Sequence, residues 1–342
     1  MSKIRNIVSV LLITAVLAAC SSGGESGGEA NGSTNEGAAG ELITLRLSET
    51  QVDDYPDAVA IYEFADRVEE LSEGSITIDV YTGGQLGDEV TTIEQTQTGI
   101  IDIGRANTGP ISQFVDDFGI FSFPFLFDSR EHLWNALDSS LRDTLFTSLE
   151  EQNLVGLAFY DAGARSFYTM DPVENLDDLR GKSIRVMQND ILIEAFNELG
   201  VSPTPLAASE VYSALQTGVV DGGENNINTY VADGHYEVAK NFTTSEHLRI
   251  PGLLFMSKQS WDSLSEDQQE IISQAALESE ETQMDEFDKY TEESERTAEE
   301  AGNNIIELSD SDRAQFRENV QGLYDKYEET YGDMFTEIEN AK

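Results

Sequence analysis

One cysteine serves the whole 342-residue chain. Cys20 by itself cannot form an internal disulfide or a multi-thiolate metal site. The three histidines, His132, His235 and His247, are far apart and show no metal-ligand spacing, so no metal centre is expected. Basic residues are scarce: 13 Arg and 7 Lys stand against 65 acids, a formal net charge of -45. That field repels nucleic acid and anionic membrane surfaces, so neither is expected as a charge-driven partner. There is no G-x-S-x-G elbow, no phosphate loop and no dinucleotide fingerprint after the first strand, so no cofactor is implied. Carboxylates are too abundant for any pair to mark a glycosidase site. With this empty catalytic inventory, the chain reads as a binding protein rather than an enzyme.

What is present sets the frame. A chain of this length makes about two ordinary domains, and 39% hydrophobic residues suffice for a core. Acid-rich, lysine-poor composition suits a protein that works in salt, where at about 1 M the Debye length shrinks to roughly 3 Å; an ordinary acidic surface is the plainer alternative. Lys3 and Arg5 precede an apolar run from Ile7 to Ala19, too short to span a bilayer, so residues 1–19 read as a signal peptide. The run ends in "LAAC", which resembles a bacterial lipobox with Cys20 as the lipidated residue and membrane anchor. Residues 21–40 hold seven Gly and four Ser, a flexible linker with an end-to-end distance of about 25 Å.

From residue 41 strands and helices alternate. "LITLRL" (42–47), "SITIDVY" (75–81), "IIDIG" (100–104) and "LVGLAFY" (154–160) read as strands, with helical spacing at Ala58, Ile61, Ala65, Val68 and Leu71 between the first two. Helices are expected from the "GGQLG" turn (83–87) to about Thr98, at 191–199 and from near Ser209. This order predicts right-handed βαβ units and mostly parallel sheets. Ser265 and Gln268 form a capping-box signal for a further helix. In residues 278–300 eleven positions are acidic, with a narrow stripe of Met284, Phe287 and Tyr290; this is a solvated helix face, since a calcium loop needs alternating acids and a central Gly. In "GKSIRVMQ" (181–188), Ile184 and Val186 share one strand face while Arg185 and Met187 share the other. A guanidinium in an otherwise buried strand calls for a partner.

Five stretches in order, "GGQLGDE" (83–89), "FSFPFLFDSREHLW" (121–134), "GARSFYT" (163–169), "LDDLRGKSIRVMQ" (176–188) and "SEVYSALQTGVVDGGENN" (209–226), resemble substrate-binding proteins of tripartite ATP-independent periplasmic (TRAP) transporters. The resemblance implies an α/β, two-domain, periplasmic-binding-protein-like fold with parallel-rich mixed sheets, crossing segments and a long connecting helix. Domain I would comprise 41–162 with 251–290, and domain II 163–250 with 291–342. It further implies a small organic-acid ligand and membrane transporter subunits as partners.

The resemblance also assigns residues. Arg185 would form a two-pronged salt bridge to a ligand carboxylate, which suits the planar fork of guanidinium. An open, solvated cleft would leave it in water until ligand binding and closure supply the counter-charge. Arg165 would contact the same carboxylate or its surroundings, and Asn225 would donate to it or to a neighbouring hydroxyl. Glu89 would accept ligand hydroxyls, Met187 would pack on the ligand body, and Glu224 and Asn226 flank the site. Plainer roles stay open: a structural salt bridge for either arginine, a turn for Asn225 and a helix-start charge for Glu89.

The stretch from Arg185 to Lys258 is most similar to the branch associated with hexuronates and related sugar acids. That branch commonly reads Pro-Pro-Ser-Tyr where this chain has Ile227, Asn228, Thr229 and Tyr230. C4-dicarboxylates are the rival within the family and would want a second cation, for which Arg105 and Arg249 are available. A solute receptor for a sensor kinase shares the same fold. A secreted carbohydrate-active enzyme is a further class.

Overall fold

The computed structural model describes residues 42–342. The expected signal peptide, Cys20 and the expected linker lie outside these residues.

Among the described residues eleven strands follow in order: β1 (Ile43–Ser48), β2 (Ile76–Tyr81), β3 (Ile103–Asn107), β4 (Leu154–Tyr160), β5 (Arg165–Thr169), β6 (Ser183–Val186), β7 (Ser202–Pro205), β8 (Gly222–Asn225), β9 (Asn241–Leu248), β10 (Gly252–Ser257) and β11 (Asn304–Glu307). They form a five-stranded sheet of order β2-β1-β3-β10-β4 and a six-stranded sheet of order β11-β9-β5-β8-β6-β7. Both sheets are mixed. β1 runs parallel to β2 and β3, but β10 lies antiparallel between β3 and β4. In the second sheet β5 is antiparallel to both its neighbours, and β6 is parallel to β7 and β8. Five of the nine strand pairings are parallel, β11 with β9 among them, so the expected parallel-rich mixed sheets are present; the four antiparallel pairings all belong to β10 and β5, which enter each sheet from the crossing segments rather than from a βαβ unit.

The alternating strands form where the pattern places them, with one exception. β3 begins at Ile103 rather than Ile100. The Asp102 carboxylate accepts Arg46 N at 2.8 Å and Ser260 Oγ at 2.7 Å, so the preceding residues form a turn and pairing starts after it. The first sheet buries Leu45, Leu47, Ile103, Leu254 and Met256 against the helix Pro56–Leu71 and the apolar face of the helix Glu266–Glu300.

That 35-residue helix opens with the capping box: Ser265 Oγ accepts Gln268 N at 3.3 Å, and Gln268 Oε1 accepts Ser265 N at 2.9 Å. Most of its acids face outward, but Glu280 turns inward to accept from Arg142 and from Phe159 N, and Gln283 is fully buried. Gln283 accepts Asp161 N at 2.8 Å and donates to Asp57 at 2.7 Å and to Asp161 O at 2.8 Å, locking the helix to the segment that leaves β4. Farther along, Asn228 Nδ2 donates to Thr291 Oγ1 at 2.9 Å, so the same helix also touches the helix Ile227–Ala232 that follows β8. The C-terminal helix Gln321–Glu339 returns to residues 116–150: Tyr331 donates to Asp116 O at 2.7 Å and His132 Nε2 meets Ile338 O at 2.7 Å. Among the described residues no helix is long and apolar enough to cross a membrane, and no cluster of His, Cys, Asp and Glu could hold a metal.

Candidate functional site

The short strand β6 puts its two faces to different uses. Ile184 and Val186 are fully buried in the core, while Arg185 and Met187 line a cleft of about 510 Å³, inside the range of roughly 300–1,000 Å³ for small-molecule sites. Arg185 is 4% exposed, so the expectation of a solvated guanidinium is corrected. Its Nε and Nη2 donate to Leu206 O at 3.0 and 2.7 Å. This carbonyl occupies the side-on fork and leaves the end-on fork, formed by Nη1 and Nη2, for another acceptor. No acid lies within ion-pair distance among the described residues, and burial lowers the pKa against the pull of Tyr168 and Glu224. Gly223 pairs with Arg185 in the sheet, and a Cβ there would come within 2.4 Å of the Tyr168 hydroxyl. Only glycine lets Tyr168 pack beside this arginine.

Arg165, at the start of β5, is already neutralised. It is 2% exposed, its Nε reaches Glu224 Oε2 at 2.5 Å, and its Nη2 donates to Glu224 Oε1 at 2.8 Å. Nη1 donates to Asn225 Oδ1 at 2.7 Å. The pairing follows from register: Phe167 lies opposite Glu224, so Arg165 faces it diagonally across the same sheet face. His247 sits 3.8 Å from Glu224, but burial and Arg165 hold its pKa down to about 3, so this is a contact with a neutral ring.

The far wall starts at the glycine turn. Gly83 and Gly84 have φ of 60° and 68°, a conformation that suits glycine. Asp88 then caps the helix Glu89–Gln97 by accepting Thr91 N at 2.8 Å. Glu89 Oε1 accepts both Asn107 N (2.7 Å) and Asn107 Nδ2 (2.8 Å), which fixes the carboxylate at the cleft and leaves Oε2 open. Tyr55 and Thr229 meet through their hydroxyls at 3.0 Å across an inner recess of about 30 Å³. Arg105 also lines this recess, ion-paired with Glu49 at 3.6 Å and with Asp57. Burial, opposed by Arg105, pushes Glu49 up to about 7.

The structure therefore brings Arg185, Arg165, Asn225, Asn226, Glu89 and Met187 around one recess. Asn226 also caps the next helix through Thr229 N at 2.7 Å and ties it to Ala162 O at 2.9 Å. Glu224 is the correction: it is fully buried, lines no part of the cleft and is spent on Arg165. Arg249, offered as a second cation, lines a separate cavity beside the long helix. Sequence reasoning missed Asn107, Tyr55, Thr229, Asp233 and His235. None carries a local signal, because each acquires its place through contacts far away in the chain.

Residues 47–330 match the family model "Bacterial extracellular solute-binding protein, family 7", DctP. A solute-binding protein of Chromohalobacter salexigens is 36% identical over 84% of this chain and 86% of its own length. A TRAP periplasmic solute-binding protein of Xanthobacter autotrophicus, solved with bound β-D-galacturonate, is 37% identical with a TM-score of 0.84, over 87% of this chain and 100% of that one. Another from Roseobacter denitrificans, solved with bound β-D-glucuronate, is 35% identical with the same TM-score of 0.84, over 87% and 98%. A cleft built around one acid-free arginine, on a fold shared nearly end to end with these proteins, belongs to a chain of the family 7 extracellular solute-binding proteins of TRAP transporters.

Proposed function

We propose that this protein captures a hexuronate or closely related sugar acid outside the cytoplasmic membrane and delivers it unchanged to the transporter's membrane subunits. One observation carries the reading. Of the three guanidiniums around the cleft and its recess, Arg105 and Arg165 are each spent on acids, and Arg185 has none among the described residues. Its end-on fork accepts one carboxylate bidentately. Glu89, held by Asn107, offers an acceptor for a ligand hydroxyl, and Asn225 and Met187 complete the surroundings. The bound sugar acids in similar proteins support the same assignment.

Ligand binding and closure are coupled on this reading. The lobes would be 41–162 with 251–290 and 163–250 with 291–342, rotating about the crossing segments. A carboxylate at Arg185 supplies the missing counter-charge and so favours the closed state. Lipid on Cys20 would hold the protein at the membrane through the glycine-rich linker. A C4-dicarboxylate is the poorer fit because the other two guanidiniums at the recess, Arg105 and Arg165, are already neutralised.

A thermal-shift screen tests the assignment. Ligand at 100 times its Kd adds about 2.7 kcal/mol of stability. D-glucuronate or D-galacturonate should raise the midpoint and succinate should leave it unchanged; the reverse ranking would sink the reading.

A further inference from the structure

Asp233 lies in the cleft with no structural duty that accounts for it. It caps the C-terminus of the helix Ile227–Ala232, its N–H bonded to Thr229 O at 3.0 Å. A carboxylate there works against the helix dipole. Its side chain makes no hydrogen bond or ion pair with any described residue, yet it lines the same 510 Å³ cleft as Arg185. Burial pushes its carboxyl up to about 6, against the pull of Arg185.

Two residues on, past the left-handed Gly234, His235 turns into the same cleft. It is 2% exposed, and neither ring nitrogen has a partner among the described residues. The ring stacks on Tyr168 at 5.2 Å, and the Tyr168 hydroxyl is also buried without a partner. Burial first, then Arg185, holds the imidazole neutral down to about 3. A neutral imidazole presents one donor and one acceptor. A ligand hydroxyl, which donates and accepts, satisfies such a ring; a carboxylate only accepts.

We propose that Asp233 and His235 form a hydroxyl-reading subsite beside Arg185 that rejects a second carboxylate on the ligand. The inference rests on the sugar-acid reading above and gives it a mechanism of selection. Every other charged side chain lining the cleft is acidic, namely Asp88 and Glu89 on the facing wall. A diacid anchored on Arg185 brings its second charge among Asp88, Glu89 and Asp233, which line the same cleft. A uronate anchored in the same way presents hydroxyls, which donate to Asp233 and pair with His235.

The test is calorimetric titration at low salt, where screening is weak, with D-glucuronate, D-galacturonate and succinate. Wild type, Asp233→Asn, Asp233→Lys and His235→Phe are compared, each with its melting curve. Asp233→Asn should narrow the uronate-to-succinate affinity ratio by about tenfold, and Asp233→Lys by more. His235→Phe should weaken uronate binding by about tenfold and leave succinate unchanged. A ratio unmoved in both Asp233 variants, with uronate still bound by wild type, overturns the subsite and leaves the sugar-acid reading standing. Wild type that prefers succinate, or binds neither uronate, removes both.

Discussion

Arg185 and Arg165 stand twenty residues apart on strands of one sheet, both nearly inaccessible to water. Their replacement by methionine, which keeps much of the stem volume, should have opposite consequences. Arg165→Met leaves Glu224, fully buried, without its counter-charge. Breaking a buried pair in this way costs about 3–5 kcal/mol. Arg185→Met removes two donors from Leu206 O, a loss of about 1.5–3 kcal/mol for bonds to a charged group. It also relieves an unpaired cation whose lowered pKa already reports the strain of burial. These contributions oppose each other, so the empty protein should change by no more than about 1 kcal/mol. Ligand affinity should respond in the other order. Truncating one partner of a buried charge pair costs about 2–5 kcal/mol, so Arg185→Met should bind a uronate roughly 30- to 5,000-fold more weakly. Denaturant unfolding of the empty proteins, read beside calorimetric titration with D-galacturonate, separates the two effects. Retained affinity with collapsed stability in Arg185→Met would refute the reasoning, because Arg185 would then be the structural residue.

Acid sensitivity should trace in part to His235 and His247, both held down to about 3 by burial and a neighbouring arginine. Below about 6.5 the unfolded chain binds these protons and the folded chain does not, so their contribution is complete above that pH and is lost as pH falls toward 3. Glu49, raised to about 7, works in the opposite sense and gains stability as pH falls through that value. The comparison is therefore between wild type and His247→Phe: the variant should lose stability less steeply, by about 1.4 kcal/mol per pH unit, and equal slopes would show that His247 is charged in the fold. With 65 acids against 20 basic residues, the unfolding midpoint should rise with sodium chloride toward molar concentrations as self-repulsion is screened; a flat or falling midpoint would count against adaptation to salt. Cys20→Ser should release the protein from the membrane fraction of cells, and retention there would exclude the lipid anchor.

Much of the fold was legible because its causes are local. Period-two alternation marked β1 and β2, a short apolar run marked β4, and the Ser265–Gln268 pair announced the long helix, since these signals act within a few residues. The placement of β10 was not legible. Leu253 pairs with Ala106 on one side and Phe159 on the other, and nothing near Leu253 specifies partners about a hundred residues away. β3 shifted by three residues because the Asp102 side chain competes for the backbone and hydroxyl groups around it.

The site divides along the same line. Residue type and strand parity determined that Arg185 and Met187 share the face opposite Ile184 and Val186, and that a planar fork would await an acceptor there. Tertiary structure alone decided which arginine is free. Arg165 is paired because strand register lays Glu224 diagonally across from it, and Arg105 is paired because Glu49 and Asp57 converge on it from separate elements. Among the described residues Arg185 finds only the carbonyl of Leu206. The sequence determined the chemistry each side chain can offer; the tertiary structure decided which charges meet, because ion pairing depends on distances that the chain sets only once it is folded.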